Sequence, residues 1–246
     1  MPPFRLAILE ADTPMPKTVA RSGHYFGVFS ELFTSATAPE PLSSVLSLSR
    51  YNVHDDPSRY PELGEVDGVL ITGSKFNAGD DDHWILTLVA FVSRAMEAGV
   101  KVIGVCFGHQ IVARALGSPV VRNEKGWEVS VIETELTAEG QRILQMDKMR
   151  IFQMHRDIVP EPPQGSTLLS HSKICGVQGL YKAGKYITVQ GHPEFTPALV
   201  TEVVEARHSR GIFDDDMYQD AMKRINDPQD GVAIAKAFIR FLRNEQ

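Results

Sequence analysis

The run Gly104-Val105-Cys106-Phe107-Gly108-His109-Gln110 constrains this chain more than any other segment. It joins an apolar stretch, Val100 to Val105, to a helix-like stretch, Ile111 to Leu116. A cysteine at a strand-to-helix corner, with glycine two positions before and two after, is the thiol counterpart of the GxSxG nucleophile elbow. Such a corner closes only where side chains are missing, and it lifts the nucleophile above a parallel sheet. Unpaired N–H groups and the positive end of the helix dipole then lie beneath the sulfur and favour its negative form.

A bare GxCxG also fits an ordinary buried cysteine at the end of a core strand. A second segment, Ile187-Thr188-Val189-Gln190-Gly191-His192-Pro193-Glu194-Phe195, tips the balance. It places a histidine and a carboxylate just past another β-branched run. His192 can take the proton of a thiol. Glu194, two residues on and pointing the same way along an extended segment, can hold the imidazole by its other nitrogen.

Together GVCFGHQ and GHPEF resemble the class I (triad) glutamine amidotransferases, whose motifs read GxCxGxQ and xHPE. Also similar are Ile71-Thr72-Gly73-Ser74, at the place of the family's oxyanion-loop glycines, and Met154-His155-Arg156-Asp157, at the place of its HGD segment. The resemblance covers most of the chain. It implies Cys106 as nucleophile, His192 as general base and Glu194 as orienting carboxylate in attack on a γ-glutamyl carbonyl. It implies oxyanion donation from the backbone of Gly73, Ser74 and Phe107, with Gln110 at the glutamyl moiety and His155 at the substrate end. Two departures stand out: Ser74 and Lys75 replace a second glycine and a proline, and Gly191 replaces a phenylalanine common in synthase-linked members. Those departures, with Lys125-Gly126-Trp127-Glu128, resemble free-standing members that cleave γ-glutamyl peptides.

The expected fold is α/β: an open, mostly parallel, flavodoxin-like sheet with helices on both faces, plus a small antiparallel β extension. Strands are expected at Arg5 to Leu9, Leu46 to Val53, Gly68 to Thr72 and Val100 to Cys106, and helices at Val19 to Phe33 and Trp84 to Ala98. Thr34 to Ser44 reads as a surface loop. Further strands are expected at Val120 to Arg122, Glu128 to Leu136, Thr167 to Ser172, Ile174 to Tyr181 and Tyr186 to Gln190. Amphipathic helices close the chain, and in the last Ala235, Phe238, Ile239 and Leu242 share a face. The catalytic loops then fall at the carboxyl ends of strands, where open α/β sheets bind ligands.

The 246 residues suit a single domain, 1–246, large enough to bury its own core. A net charge of -6 with dispersed cations gives no nucleic-acid footprint. No apolar run approaches a membrane span, so no membrane partner is expected and the reading is cytoplasmic. Two cysteines, Cys106 and Cys175, make no disulfide framework, and Cys175 reads as a small buried hydrophobe. No metal is expected, since the histidines lack ligand spacing. No cofactor is expected either, since the chain has no phosphate-cradling loop with which to activate an acceptor by ATP.

The leading functional expectation is cysteine-dependent hydrolysis of a γ-glutamyl amide, in glutamine or a small-molecule γ-glutamyl peptide or conjugate, through a γ-glutamyl thioester. The alternatives are a glutaminase subunit supplying ammonia to a separate synthase, and a non-catalytic binding or regulatory member of the fold.

Overall fold

The computed structural model describes residues 2–245. The chain begins with β1 (Phe4–Glu10), α1 (Pro16–Ser22), α2 (Tyr25–Thr37), α3 (Leu42–Val45), β2 (Leu46–Asn52) and β3 (Gly68–Ile71). It continues through α4 (His83–Glu97), β4 (Lys101–Val105), α5 (Phe107–Ala115), β5 (Val121–Arg122), β6 (Glu128–Leu136) and α6 (Ala138–Leu144). Next come β7 (Met149–His155), β8 (Asp157–Ile158), β9 (Thr167–His171), β10 (Gly179–Lys182) and β11 (Tyr186–Val189). Three helices follow: α7 (Pro197–Ser209), α8 (Asp215–Arg224) and α9 (Gly231–Arg243).

A nine-stranded sheet runs in the order β2-β1-β3-β4-β11-β10-β9-β6-β7. The strands from β2 to β11 pair in parallel, and those from β11 to β7 pair antiparallel. Every residue of β3, β4 and β11 is buried, because both faces of the parallel block are covered. Phe29 and Phe33 of α2 with Phe238 and Phe241 of α9 fill one face. Leu88 and Phe91 of α4 with Ile111 and Val112 of α5 fill the other. A third cluster lies at the antiparallel end, where Val129, Phe152 and Met154 meet Leu199 and Val204 of α7.

Several expected boundaries move. The helix read over Val19 to Phe33 is two helices, broken at Gly23 and His24. The supposed loop Thr34 to Ser44 carries the last turn of α2 and the start of α3. Hydroxyls survive in α2 by bonding back one turn: Ser30 Oγ donates to Phe26 O at 2.6 Å, Thr34 Oγ1 to Ser30 O at 2.7 Å and Ser35 Oγ to Glu31 O at 3.0 Å. The strand expected over Ile174 to Tyr181 shrinks to β10, because Ser172 Oγ accepts from Cys175 N at 3.0 Å and turns the chain there. Not anticipated either were the strands β7 and β8 and the helix α6. The latter starts at Thr137, whose hydroxyl accepts from Gly140 N at 3.0 Å.

Candidate active site

The site is built where β4 and β11 lie side by side and run the same way, Val105 opposite Val189. Each strand delivers one functional side chain just beyond its carboxyl end. Cys106 follows β4 at φ 52°, ψ -102°, a strained conformation costing roughly 1–3 kcal/mol. The corner is fixed on both sides, by Cys106 N donating to Val189 O at 2.9 Å and Gln110 N donating to Cys106 O at 3.1 Å. The flanking glycines are close-packed: a Cβ on Gly104 would meet Gly108 O at 2.6 Å, and one on Gly108 would meet Ile71 O at 2.4 Å. Any side chain at either place pushes α5 off the sheet.

His192 follows β11 and is anchored by its own N–H, which donates to Phe152 O of β7 at 2.7 Å. Its Nδ1 lies 2.8 Å from Glu194 Oε1, and its ring stacks on Phe195 with centroids 3.8 Å apart. Both His192 and Glu194 are buried. Burial alone pushes the imidazole toward its neutral form. The charge of the Cys106 sulfur, then that of Glu194, and hydrogen bonds to both outweigh it and raise the His192 pKa to about 10. The sequence-predicted trio is thus brought together.

Of the predicted oxyanion groups, Gly73 packs directly on the imidazole, where an added Cβ would stand 2.5 Å from His192 Cε1. Ser74 and Phe107 line one narrow cleft with Cys106. Phe107 opens α5, so its N–H belongs to the unpaired first turn of a helix. The loop around Gly73 and that helix are braced by aromatic contacts: Phe76 meets Trp84 edge-on at 5.4 Å, and Trp84 stacks on Phe107 at 5.5 Å.

Gln110 and His155 line the same cleft, but Gln110 Nε2 and His155 Nδ1 are engaged within the protein. Gln110 Nε2 donates to Asp157 O at 2.8 Å and to Gln190 Oε1 at 3.1 Å. Gln190 Nε2 in turn points at Cys106 Sγ, 3.6 Å away. His155 Nδ1 donates to Asp157 O at 3.1 Å, while Nε2 lies 3.0 Å from Glu128 Oε2, off the line of a good N–H bond. Trp127 also walls the cleft. His109, three residues after Cys106, faces away into the sheet, with Nδ1 2.7 Å from Thr188 Oγ1. Burial, then the nearby His155, depress its pKa to about 3.

Arg207 on α7 carries no sequence signal. Its guanidinium lies 4.7 Å over the Trp127 ring and 5.6 Å over that of Phe213, and its Nη1 is buried with no hydrogen-bond partner among the described residues. Burial works against its charge, and the Cys106 sulfur supports it. Arg207, with Ser74, Lys75 and Met154, lines both this narrow cleft and a larger one of about 240 Å³, which Tyr25, His192, Phe195 and Arg210 also line. Cys106 faces the narrow cleft and His192 the larger one.

Glu128, His155 and Cys175 bring ligand atoms within 4.8 Å of one another. Protein bonds account for this group without an ion: Glu128 accepts from Ser172 Oγ and Gln178 Nε2, each at 2.6 Å, and Cys175 Sγ donates to Val177 O at 3.4 Å. Burial, and then the Glu128 charge, push the Cys175 thiol up to about 12, which leaves it an inert small hydrophobe.

The family model for glutamine amidotransferase class-I matches residues 42–206, the segment that holds Cys106, His192 and Glu194. A glutamine amidotransferase-like protein of Schizosaccharomyces pombe is 34% identical over 244 residues, covering 97% of this chain and 98% of its own length. Gamma-glutamyl peptidase 2 of Arabidopsis thaliana is 26% identical over 225 residues, covering 90% of this chain and 88% of its own. A glutamine amidotransferase structure from Thermotoga maritima shares the fold, with a TM-score of 0.72 at 17% identity over 97% of this chain and 98% of that one. The chain therefore belongs to the class I glutamine amidotransferases.

Proposed function

We propose that the chain, working as one domain over 1–246, hydrolyses γ-glutamyl amides with Cys106 as nucleophile and His192 and Glu194 as its partners. The observation that carries this reading is the buried succession of sulfur, imidazole and carboxylate, with Nδ1 to Oε1 at 2.8 Å and the histidine pKa raised to about 10. The sulfur attacks the γ-carbonyl, and the N–H groups of Ser74 and Phe107 receive the oxyanion beside Gly73. The C–N bond then breaks as the His192 imidazolium gives its proton to the departing nitrogen. A γ-glutamyl thioester remains. Water deprotonated by neutral His192 attacks it, releasing glutamate and restoring the thiol proton to the pair.

The two clefts divide the substrate at the scissile bond. The narrow cleft, walled by Gln110, Trp127 and His155, takes the glutamyl portion on the Cys106 side. The larger cleft lies on the side of His192, which protonates the leaving group. Its room and the guanidinium groups of Arg207 and Arg210 favour an amino acid or peptide carrying a carboxylate over ammonia alone. The test is a panel scoring glutamate release from glutamine, glutathione and γ-glutamyl conjugates, with and without added synthases. Faster release from peptides and conjugates by the protein alone supports the reading. Release confined to glutamine and dependent on a synthase would assign the chain as a glutaminase subunit, and no release from any member would favour a binding role.

A further inference from the structure

We infer that Asp12 is a positioning residue which, with Thr72, holds the oxyanion-donating peptide between Gly73 and Ser74 in its working orientation. The inference rests on the assignment of that loop to the oxyanion hole. It comes from how the ends of two adjacent parallel strands, β1 and β3, are stitched together.

Thr72 sits at the junction, fully buried. Its hydroxyl accepts from Ala11 N at 3.0 Å and donates to Gly73 O at 3.0 Å. A trans peptide is planar, with its C=O and N–H pointing in opposite directions. Pinning the Gly73 carbonyl on one side therefore pins the Ser74 N–H on the other. Ser74 is held as well: its hydroxyl donates to Ala11 O at 3.0 Å and accepts from Phe76 N at 3.1 Å.

Asp12 closes the far side of the loop. One carboxylate oxygen accepts from Lys75 N at 2.9 Å, and the other accepts from Lys75 Nζ at 2.7 Å and from Thr13 N at 2.8 Å. The carboxylate is only 6% exposed, whereas the Lys75 side chain is 60% exposed. The ammonium contact is thus screened, and the backbone N–H bond carries the restraint. Lys75 stands where the resemblance expects a proline, which would be stiff and would have no N–H. Here the loop keeps its N–H, and Asp12 supplies the stiffness that the ring would have given.

The experiment compares wild type with Asp12→Ala, Asp12→Asn and the double variant Asp12→Ala/Lys75→Pro. Steady-state glutamate release, iodoacetamide alkylation of Cys106 and backbone amide exchange at Lys75 are measured on each full-length protein. Asp12→Ala should lower kcat about 10- to 100-fold, less than the roughly 100- to 1,000-fold that follows outright loss of an oxyanion donor. KM should stay within about twofold and the alkylation rate should hold, because only the transition state uses the aimed N–H. Asp12→Asn, which keeps one acceptor oxygen, and the proline double variant should each recover part of kcat. Lys75 amide exchange should accelerate in Asp12→Ala. A rise in KM at constant kcat would overturn the inference and make Asp12 a binding residue. Lys75 protection that persists without Asp12 would also overturn it. That last readout needs no substrate, so it decides on the clamp even if no γ-glutamyl compound is cleaved.

Discussion

The Arg207 guanidinium rests 4.7 Å over the ring of Trp127, in the wall shared by the two clefts. A buried cation with an unpartnered Nη1 lowers stability while it waits for an anionic ligand. Arg207→Met keeps the stacking area and removes the charge. The expected outcome is a KM for carboxylate-bearing γ-glutamyl peptides raised about 10- to 100-fold, the worth of a charge-assisted hydrogen bond. Thermal stability in the absence of substrate should be unchanged or higher. A large loss of melting temperature with unchanged KM would mean that Arg207 serves packing alone.

Gln190 points its amide at the Cys106 sulfur, at 3.6 Å, and Gln110 holds it there. Replacing Gln190 by Leu removes a donor to a developing negative charge, worth about 1.5–3 kcal/mol. Cys106 alkylation by a neutral reagent should slow by roughly 10-fold or more under that principle, with the circular dichroism spectrum retained. An unaltered alkylation rate would show that the sulfur does not use this bond.

Two histidines impose pH dependences of opposite sign. His109 has its pKa depressed to about 3 by burial, below the ordinary value near 6.5. Its contribution to stability is therefore complete above about 6.5 and is lost as pH falls toward 3, by at most about 1.4 kcal/mol per pH unit. Denaturant titrations across that window should show a shallower acid slope for His109→Asn than for wild type. His192, raised to about 10, stays an imidazolium across neutral pH. Turnover should decline as pH rises through about 10, since the leaving group then loses its proton donor.

Gly191 answers to packing. A Cβ at that position would stand 2.8 Å from Ile151 Cγ2, so the phenylalanine common in synthase-linked members does not fit against β7. Gly191→Phe should cost about 1–3 kcal/mol by overpacking. Gly191→Phe combined with Ile151→Ala should recover part of that loss in thermal melts. Equal melting temperatures for Gly191→Phe and wild type would contradict this account.

The candidate trio was legible because Cys106 and His192 each stand just past a short apolar run and the local signatures GxCxG and HPE carry all three residues. The parallel block was legible from its short, mostly apolar runs, since β3 is apolar throughout and β4 and β11 carry one polar residue each, Lys101 and Thr188. β7 escaped because it carries Gln153 in a buried position, and the partner that makes this tolerable, Gln178 Oε1 at 2.9 Å, lies 25 residues away. Thr137 capping Gly140 was a local signal that could have marked α6. Asp12, Gln190 and Arg207 could not be found in this way. Each acts through neighbours distant in sequence, and Asp12 and Arg207 lie outside the matched segment 42–206. The small antiparallel extension of the sequence reading is β10, β9, β6 and β7 of the same sheet, and β7 anchors His192 through Phe152 O.

The most direct measurement is mass spectrometry of the intact protein, quenched in acid during turnover of a γ-glutamyl peptide. The account predicts a glutamyl adduct on the peptide that contains Cys106, formed by the wild type, absent from Cys106→Ala and greatly reduced in His192→Ala. Glutamate release by Cys106→Ala at the wild-type rate, or an adduct mapped to any other residue, would contradict it.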